Sequence, residues 1–303
     1  MAADSELFPV ITPIIKWAGG KKKLAPTIEQ AASNQIDFST IDTYVEPFAG
    51  GASMLLYLAT KYHFKHQVIL DINPELINLY RQVRDHLTDL MTGLTTIQAT
   101  YNDLPDLTTQ KENFYAVRSA FNQGILVDEA SVDQAVRFMF LNKTDFNGLY
   151  RVNSKGTFNV PFGQRKQVNL FEPANLTNFS QLLQNTEILL GDYHQTAQYA
   201  GPKTFFYFDP PYRPLTDSAS FTSYAKSTFN DDAQVELATF TQQLAAKGAH
   251  FALSNSDPHQ SDPDDNFFDD LYADFTIQRI QAARMISARA KGRGNVSELL
   301  VTH

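Results

Sequence analysis

Hydrophobic and polar positions follow two rhythms along the chain. In residues 41–62 a β-prone run at Thr43–Val45 is stopped by Pro47, and Gly50-Gly51 permit a tight turn. The apolar-rich stretch 52–62 then predicts a helix. Residues 66–87 repeat the unit, with a strand at Val68–Leu70 and Asp71 at its end. A helix follows Asn73-Pro74, with Asn73 suited to the cap and Pro74 to the first turn. Strand–helix–strand–helix at this spacing predicts an α/β parallel sheet. From about Leu76 to Leu141 the period becomes helical and amphipathic, most clearly in 111–124 and 131–143. The β-prone arms of 148–163 around Ser154-Lys155-Gly156 predict a hairpin. Strand patterns return at 186–193, 204–209 and 248–256, and 274–280 and 298–303 read as closing antiparallel strands. The organisation is therefore discontinuous: a sheet domain over 1–75 and 176–303, interrupted by a mostly helical insertion over 76–175.

One junction stands out within that pattern. In TFFYFDPPYRPL, residues 204–215, the uncharged run Phe205–Phe208 reads as a core strand. Pro210 and Pro211 cannot donate to a ladder, so the strand must stop there, and Pro210 also restricts Asp209. A stiff turn results, presenting a carboxylate, unpaired carbonyls and the ring of Tyr212. Open α/β sheets bind ligands beyond the carboxyl ends of their strands. Four groups are expected there: the Glu46–Gly51 turn, Asp71, Asp192-Tyr193 and the Asp209–Tyr212 turn. Backbone N–H groups at the glycine turn suit a carboxylate or phosphate. Asp71 lies 21 residues beyond Gly50, where an acidic side chain accepts both ribose hydroxyls of a nucleoside. Neither G-x-G-x-x-G nor G-x-x-x-x-G-K-[ST] occurs, which points away from NAD and ATP and toward a nucleoside cofactor without a long phosphate chain.

Composition narrows the classes further. With 303 residues, 43% hydrophobic and 19% charged, the chain is expected to fold rather than stay disordered. The absence of cysteine removes disulfides, thiolate zinc sites and thiol nucleophiles, and fits a reducing cytoplasm. No apolar run approaches the ~18–20 residues of a membrane span, and the N-terminal sequence lacks the pattern of a secretory signal. None of the seven histidines has metal-ligand spacing, so no metal is expected. The net charge of −8 is unevenly spread: residues 256–274 carry seven aspartates and no Lys or Arg. Residues 14–24 carry four lysines and no acid, 141–170 five basic residues against one acid, and 279–295 five basic residues and no acid. Local charge of this kind lets a polyanion dock on an acidic protein.

The blocks IIKWAGGKKKL, YVEPFAGGAS, ILDIN, LNKTDFNGLYRVNSKGTFNVPFG, LLGDY, YFDPPYRPL with SFTSYAKSTF, and RMISARAKGRGNVSELL occur in this order. Together they closely resemble the alpha group (D12 class, Dam-like) of S-adenosylmethionine-dependent DNA adenine-N6 methyltransferases, over essentially the whole chain. The resemblance implies a Rossmann-like methyltransferase sheet domain that binds S-adenosylmethionine. The helical insertion with its β-hairpin is then the DNA target-recognition domain. It also implies that Asp209 and the Pro210 carbonyl accept the two protons of the adenine amino group, with Pro211 completing the turn. Tyr212 stacks on the adenine after it is flipped from the duplex. Trp17, Gly19, Gly20 and Lys21 are placed near the methionine part of the cofactor, Glu46, Phe48, Gly50 and Gly51 at its turn, and Asp71 at the ribose. Asp192 and Tyr193 meet its adenine, and Asp209 also borders the cofactor.

On the DNA side the resemblance makes Lys16, Phe146, Asn147, Leu149, Arg151 and Pro161 target-facing, with Arg165 standing where an aromatic is often seen. It implies double-stranded DNA as partner and adenine in GATC as target. A cognate restriction endonuclease, not in a stable complex, and a monomer or weak dimer are further expectations. Lys143-Thr144-Asp145 and Arg165 depart from the best-known pattern, which bears on the recognition sequence rather than on the reaction. Alternatives stay open at single residues: Trp17 as a buried core ring, Phe146 and Leu149 as hairpin core, Lys21–Lys23 as a solvated run. Alternatives for the whole chain are an amino-methyltransferase for cytosine N4, RNA or protein glutamine, and a catalytically inactive DNA-binding regulator.

Overall fold

Seven strands form one sheet in the computed structural model, which describes residues 7–215, 229–283 and 295–303. Residues 216–228 and 284–294, with most of the SFTSYAKSTF block and of the third basic stretch, lie outside the described residues. The strands are β1 (Thr43–Glu46), β2 (His66–Asp71), β3 (Thr186–Leu190), β4 (Thr204–Phe208), β5 (His250–Ser256), β6 (Thr276–Ala283) and β7 (Asn295–Thr302). Their order is β3-β2-β1-β4-β5-β7-β6. β1 pairs parallel with β4 (Tyr44 opposite Phe205), and β4 parallel with β5 (Phe206 opposite Phe251). β7 runs antiparallel to both β5 and β6, as the closing pattern predicted. All five residues of β4 are buried, the condition that a strand within a parallel sheet imposes and that its unbroken apolar run meets. This mixed α/β architecture agrees with a Rossmann-like methyltransferase fold.

The helices, numbered over the described residues, are α1 (Ala25–Ala32), α2 (Ser53–Leu58), α3 (Pro74–Asp85), α4 (Leu87–Asn102), α5 (Leu107–Leu126), α6 (Val132–Thr144), α7 (Pro173–Leu183), α8 (Asp231–Ala246) and α9 (Phe267–Leu271). Asn73 caps α3 as expected, its side chain accepting from the N–H groups of Glu75 and Leu76. Asp106 caps α5 and Ser131 caps α6 in the same way.

One expectation needs correction, and a second is met in a shorter form. The helix expected over 52–62 spans only Ser53–Leu58, because Ala52 adopts a left-handed φ of 52° and Thr60 and Lys61 close the end with tight turns onto Tyr57 and Leu58. The expected hairpin at 148–163 closes around Ser154-Lys155-Gly156: Val152 bridges Phe158 antiparallel, and the N–H groups of Asn153 and Asn159 donate to the Thr157 and Arg151 carbonyls, with a second bridge between Asp145 and Phe162 and no longer ladder. Side chains from α5 take further backbone groups of the segment: Asn122 binds both N–H and C=O of Phe158, and Arg118 donates to the Val160 carbonyl.

The chain packs as two compact units. Unit 1 comprises Met1–Gly20, Ala49–Lys61 and Ile69–Gly191, and unit 2 comprises Lys21–Phe48, Tyr62–Val68 and Asp192–His303.

Candidate active site

In unit 2, β1 and β4 run parallel, so their carboxyl ends bring Glu46 and Asp209 to the same edge. Glu46 is buried and accepts the Tyr44 hydroxyl at 2.9 Å. Beyond Phe208 the two prolines end the pairing. The turn is then fixed from outside: Gln234 on α8 donates to the Pro211 carbonyl at 3.0 Å, and Asn255 on β5 accepts the Arg213 N–H at 3.1 Å. Asn255 in turn donates to Gln234 at 3.0 Å, and the Ser256 hydroxyl donates to the Arg213 carbonyl at 2.6 Å.

Lys21 delivers its Nζ to 2.8 Å from Asp209 Oδ1, with the lysine side chain 5% and the aspartate 20% exposed. The same ammonium stands 4.7 Å from the centre of the Tyr212 ring. The Tyr212 hydroxyl donates to Glu298 Oε2 on β7 at 2.7 Å. Burial pushes the Asp209 carboxyl up, Lys21 opposes that rise, and Glu298 adds to it. Of the run Lys21–Lys23 only Lys21 is buried; Lys22 and Lys23 are exposed. Also in unit 2, half-buried Phe48 packs on buried Tyr193 at 5.4 Å between ring centres. Exposed Asp192 caps the short 3-10 turn Tyr193–Tyr199 through the His194 N–H. The Tyr193 hydroxyl is buried with no hydrogen-bond partner among the described residues, and burial pushes it up.

Unit 1 holds the glycine turn. Asp71 accepts the Gly50 N–H on one oxygen and the Asn73 N–H on the other, each at 2.9 Å. Burial raises its carboxyl and these N–H groups hold it down. Gly50 has φ +45°, and a Cβ there would fall 2.7 Å from the indole Cδ1 of Trp17. No other residue type fits that turn. Trp17 is half-buried, stacked on Tyr150 at 5.8 Å with rings 23° apart, and meets the edge of Phe138 at 6.5 Å. It is thus neither a fully buried core ring nor a free one. A Cβ at Gly20 or Gly51 would lie 3.6 Å from the Trp17 carbonyl or 3.5 Å from its Cβ, and Gly19 has φ 81°.

The expected DNA-facing residues of unit 1 are mostly outward. Lys16, Asn147, Arg151, Pro161 and Arg165 are exposed, and Phe146 is 55% exposed, which sets aside its alternative as hairpin core. Leu149 is half-buried. Asn147 has φ 68°, and Phe146 donates its N–H to the Pro161 carbonyl at 2.9 Å. The Arg151 guanidinium is held on Asn159, Nε to Oδ1 at 2.7 Å.

Three neighbours escaped sequence reasoning: Glu298, Tyr150 and Asn142. Each acts on a partner 86, 133 or 126 residues away, so no local pattern betrays it. Among the described residues no helix is long and apolar enough to cross a membrane, and no acidic or histidine group is placed to hold a metal.

Comparison with known proteins places this geometry in context. The sequence model of the family described as "D12 class N6 adenine-specific DNA methyltransferase" matches residues 17–286. The chain is 42% identical over 292 residues to the type II methyltransferase M.MjaIII of Methanocaldococcus jannaschii, covering 96% of this chain and 98% of that one. It is 36% identical to the type II methyltransferase M1.LlaDCHI of Lactococcus lactis (97% and 95% covered). It is 32% identical to a DNA adenine methylase of Vibrio cholerae (94% of both).

Proposed function

From the premise that the chain belongs to the D12 class of N6 adenine-specific DNA methyltransferases, we propose that it moves the methyl of S-adenosylmethionine to adenine in GATC, with Asp209 holding the amino group. Membership in that class makes it a site-specific adenine methyltransferase of DNA. The cytosine, RNA, protein-glutamine and inactive-regulator alternatives fall away. The observation that supports the role of Asp209 is its contact with Lys21: burial raises the carboxyl, and an ammonium at 2.8 Å opposes that rise and favours the charged form.

An ionised carboxylate at a proline-locked turn accepts one N–H of the target amino group, and the Pro210 carbonyl accepts the other. Two acceptors in fixed positions turn the nitrogen lone pair out of conjugation with the ring. They also stabilise the positive charge that grows on nitrogen as its bond to carbon forms. Tyr212, held through its hydroxyl by Glu298, offers a ring of fixed orientation to a flipped base. The residues of the glycine turn fit the cofactor: a half-exposed Asp71, which accepts backbone N–H groups of Gly50, Asn73 and Ile72, has one of its about four lone-pair sites left for a ribose hydroxyl. When bound, that cofactor supplies an electrophilic methyl on a sulfonium. Residues 76–175 are the proposed target-recognition segment, with Lys16 and Arg151 reading base edges.

The test uses a duplex with one GATC site and duplexes altered at each of its positions. Adenine N6 methylation in the first only, lost by several orders of magnitude in Asp209→Ala while cofactor affinity holds, is the expected result. Near-normal turnover in Asp209→Ala sinks the assignment of that residue. Methylation of a different motif sinks GATC alone.

A further inference from the structure

The basic residue at position 16 sits on a segment with no secondary structure of its own, where a long exposed side chain has little reason to point in one direction. Its backbone is nevertheless pinned. The Lys16 N–H donates to Asn142 Oδ1 at 2.8 Å, and Asn142 Nδ2 donates back to the Lys16 carbonyl at 2.9 Å. The same Nδ2 donates its second proton to the Gly148 carbonyl at 3.2 Å. One amide, 2% exposed near the end of α6, therefore ties three backbone groups of two separate loops.

The other side of Gly148 is fixed as well, its N–H donated to Asp145 Oδ1 at 2.7 Å. Gly148 then serves as a floor for the lysine stem: with φ +67°, a Cβ there would lie 2.3 Å from Lys16 Cδ and 2.8 Å from its Cβ. Only a residue without a side chain lets the stem cross at this point. Lys143, half-buried on the next position of α6, has its ammonium pushed down by burial and, to a lesser degree, by the Lys16 charge, and Lys16 itself is exposed.

We infer that Asn142 is a positioning residue for target recognition, which aims Lys16 at the base edge it reads and so sets discrimination at that base pair. The inference rests on the reading of Lys16 as a base contact. Asparagine is required because the site needs one acceptor and two donated protons in a single planar group. Aspartate keeps size and acceptor but loses both donations. Leucine keeps approximate volume and loses all three.

The test measures kcat/KM on the cognate duplex and on a duplex changed at the base Lys16 reads, for Asn142→Asp, Asn142→Leu, Gly148→Ala and Lys16→Ala. Thermal unfolding and cofactor binding check each fold. Discrimination is expected to fall about tenfold or more in each Asn142 variant that folds, chiefly through KM on the cognate duplex. Gly148→Ala approaches the same stem from the opposite side, so it yields the same phenotype even where an Asn142 variant does not fold. In the Lys16→Ala background none of these substitutions lowers discrimination further, which a merely structural role would not produce. Lost discrimination in Lys16→Ala with intact discrimination in the Asn142 and Gly148 variants overturns the inference and leaves Lys16 as a base contact. Intact discrimination in Lys16→Ala removes both.

Discussion

Asp209 in unit 2 and Asp145 in unit 1 are both carboxylates whose surroundings raise their pKa, yet they are built differently. Asp209 ends a strand at a proline turn, reaches solvent over a fifth of its side chain, and has a lysine ammonium at 2.8 Å. Asp145 is 1% exposed and, among the described residues, has no cation in contact. Its Oδ1 accepts the Gly148 N–H, while Oδ2 is buried with no partner among the described residues. Burial pushes Asp145 up to about 8, with backbone N–H groups, Lys16 and Arg165 pulling the other way. The lesson is that a perturbed carboxyl marks chemistry only where something arranges to keep it charged and reachable. Burial favours the protonated form of Asp145, and its Oδ1 pins the Gly148 N–H of the loop that carries Phe146 and Asn147. Asp71 stands between the two: raised by burial like Asp145, half-exposed like Asp209, and held by backbone donors alone.

The strongest way to break this comparison is to take away the cation. Lys21→Met leaves Asp209 buried beside Glu298, so its carboxyl stays protonated to higher pH. Methylation at pH 7 is expected to fall on the order of a hundredfold, and the acid limb of kcat/KM to move to higher pH, with activity recovering as pH rises. An unshifted limb would place Asp209 in the same structural class as Asp145.

Asp71→Ala tests the intermediate case. Loss of a charge-assisted bond to a ribose should weaken S-adenosylmethionine binding by about 1.5–3 kcal/mol in calorimetry. Unchanged affinity in a folded variant would assign Asp71 to turn architecture alone.

The third test reads stability, with no change expected in the chemistry. A carboxyl whose folded pKa lies above its unfolded value of about 4 stabilises the fold below that value and loses the contribution as pH rises through about 8. Asp145→Asn keeps the acceptor for Gly148 and removes the ionisation. It is expected to match the wild type below about pH 4 and to exceed it by a margin that grows as pH rises through about 8 in chemical unfolding. A constant difference across that window would mean that Asp145 does not titrate in the folded protein.

What could be read from the sequence was what neighbours in the chain decide. Pro210-Pro211 end β4 wherever the chain folds, and the Asn73-Pro74 pair starts α3 by its own capping bonds. Ala52 was misread because a good helix former is forced left-handed next to Gly50 and Gly51, against its propensity. The 148–163 hairpin was legible from its β-prone arms and its turn, but the hold that Asn122, Arg118 and Asn142 take on its remaining carbonyls was not, because those side chains come from helices outside the segment. The Lys21–Asp209 contact joins positions 188 residues apart (209 − 21), and only the lysine's place in KWAGGK hinted that it differs from Lys22 and Lys23.

The pairing of Thr43 with Thr204 also sets a timetable. β1 leaves the ribosome about 160 residues before its parallel partner β4 exists (204 − 43 = 161). At roughly 5–20 residues per second, that strand waits about 8–30 s for the neighbour that covers it. During this interval Tyr44 and Val45, both fully buried at the end, have no β4 against which to pack. The nascent chain is thus most exposed to chaperone capture and to aggregation while residues 47–203 are being synthesised. Slowing translation across that interval should lower the soluble yield far more than slowing it after β4 has emerged.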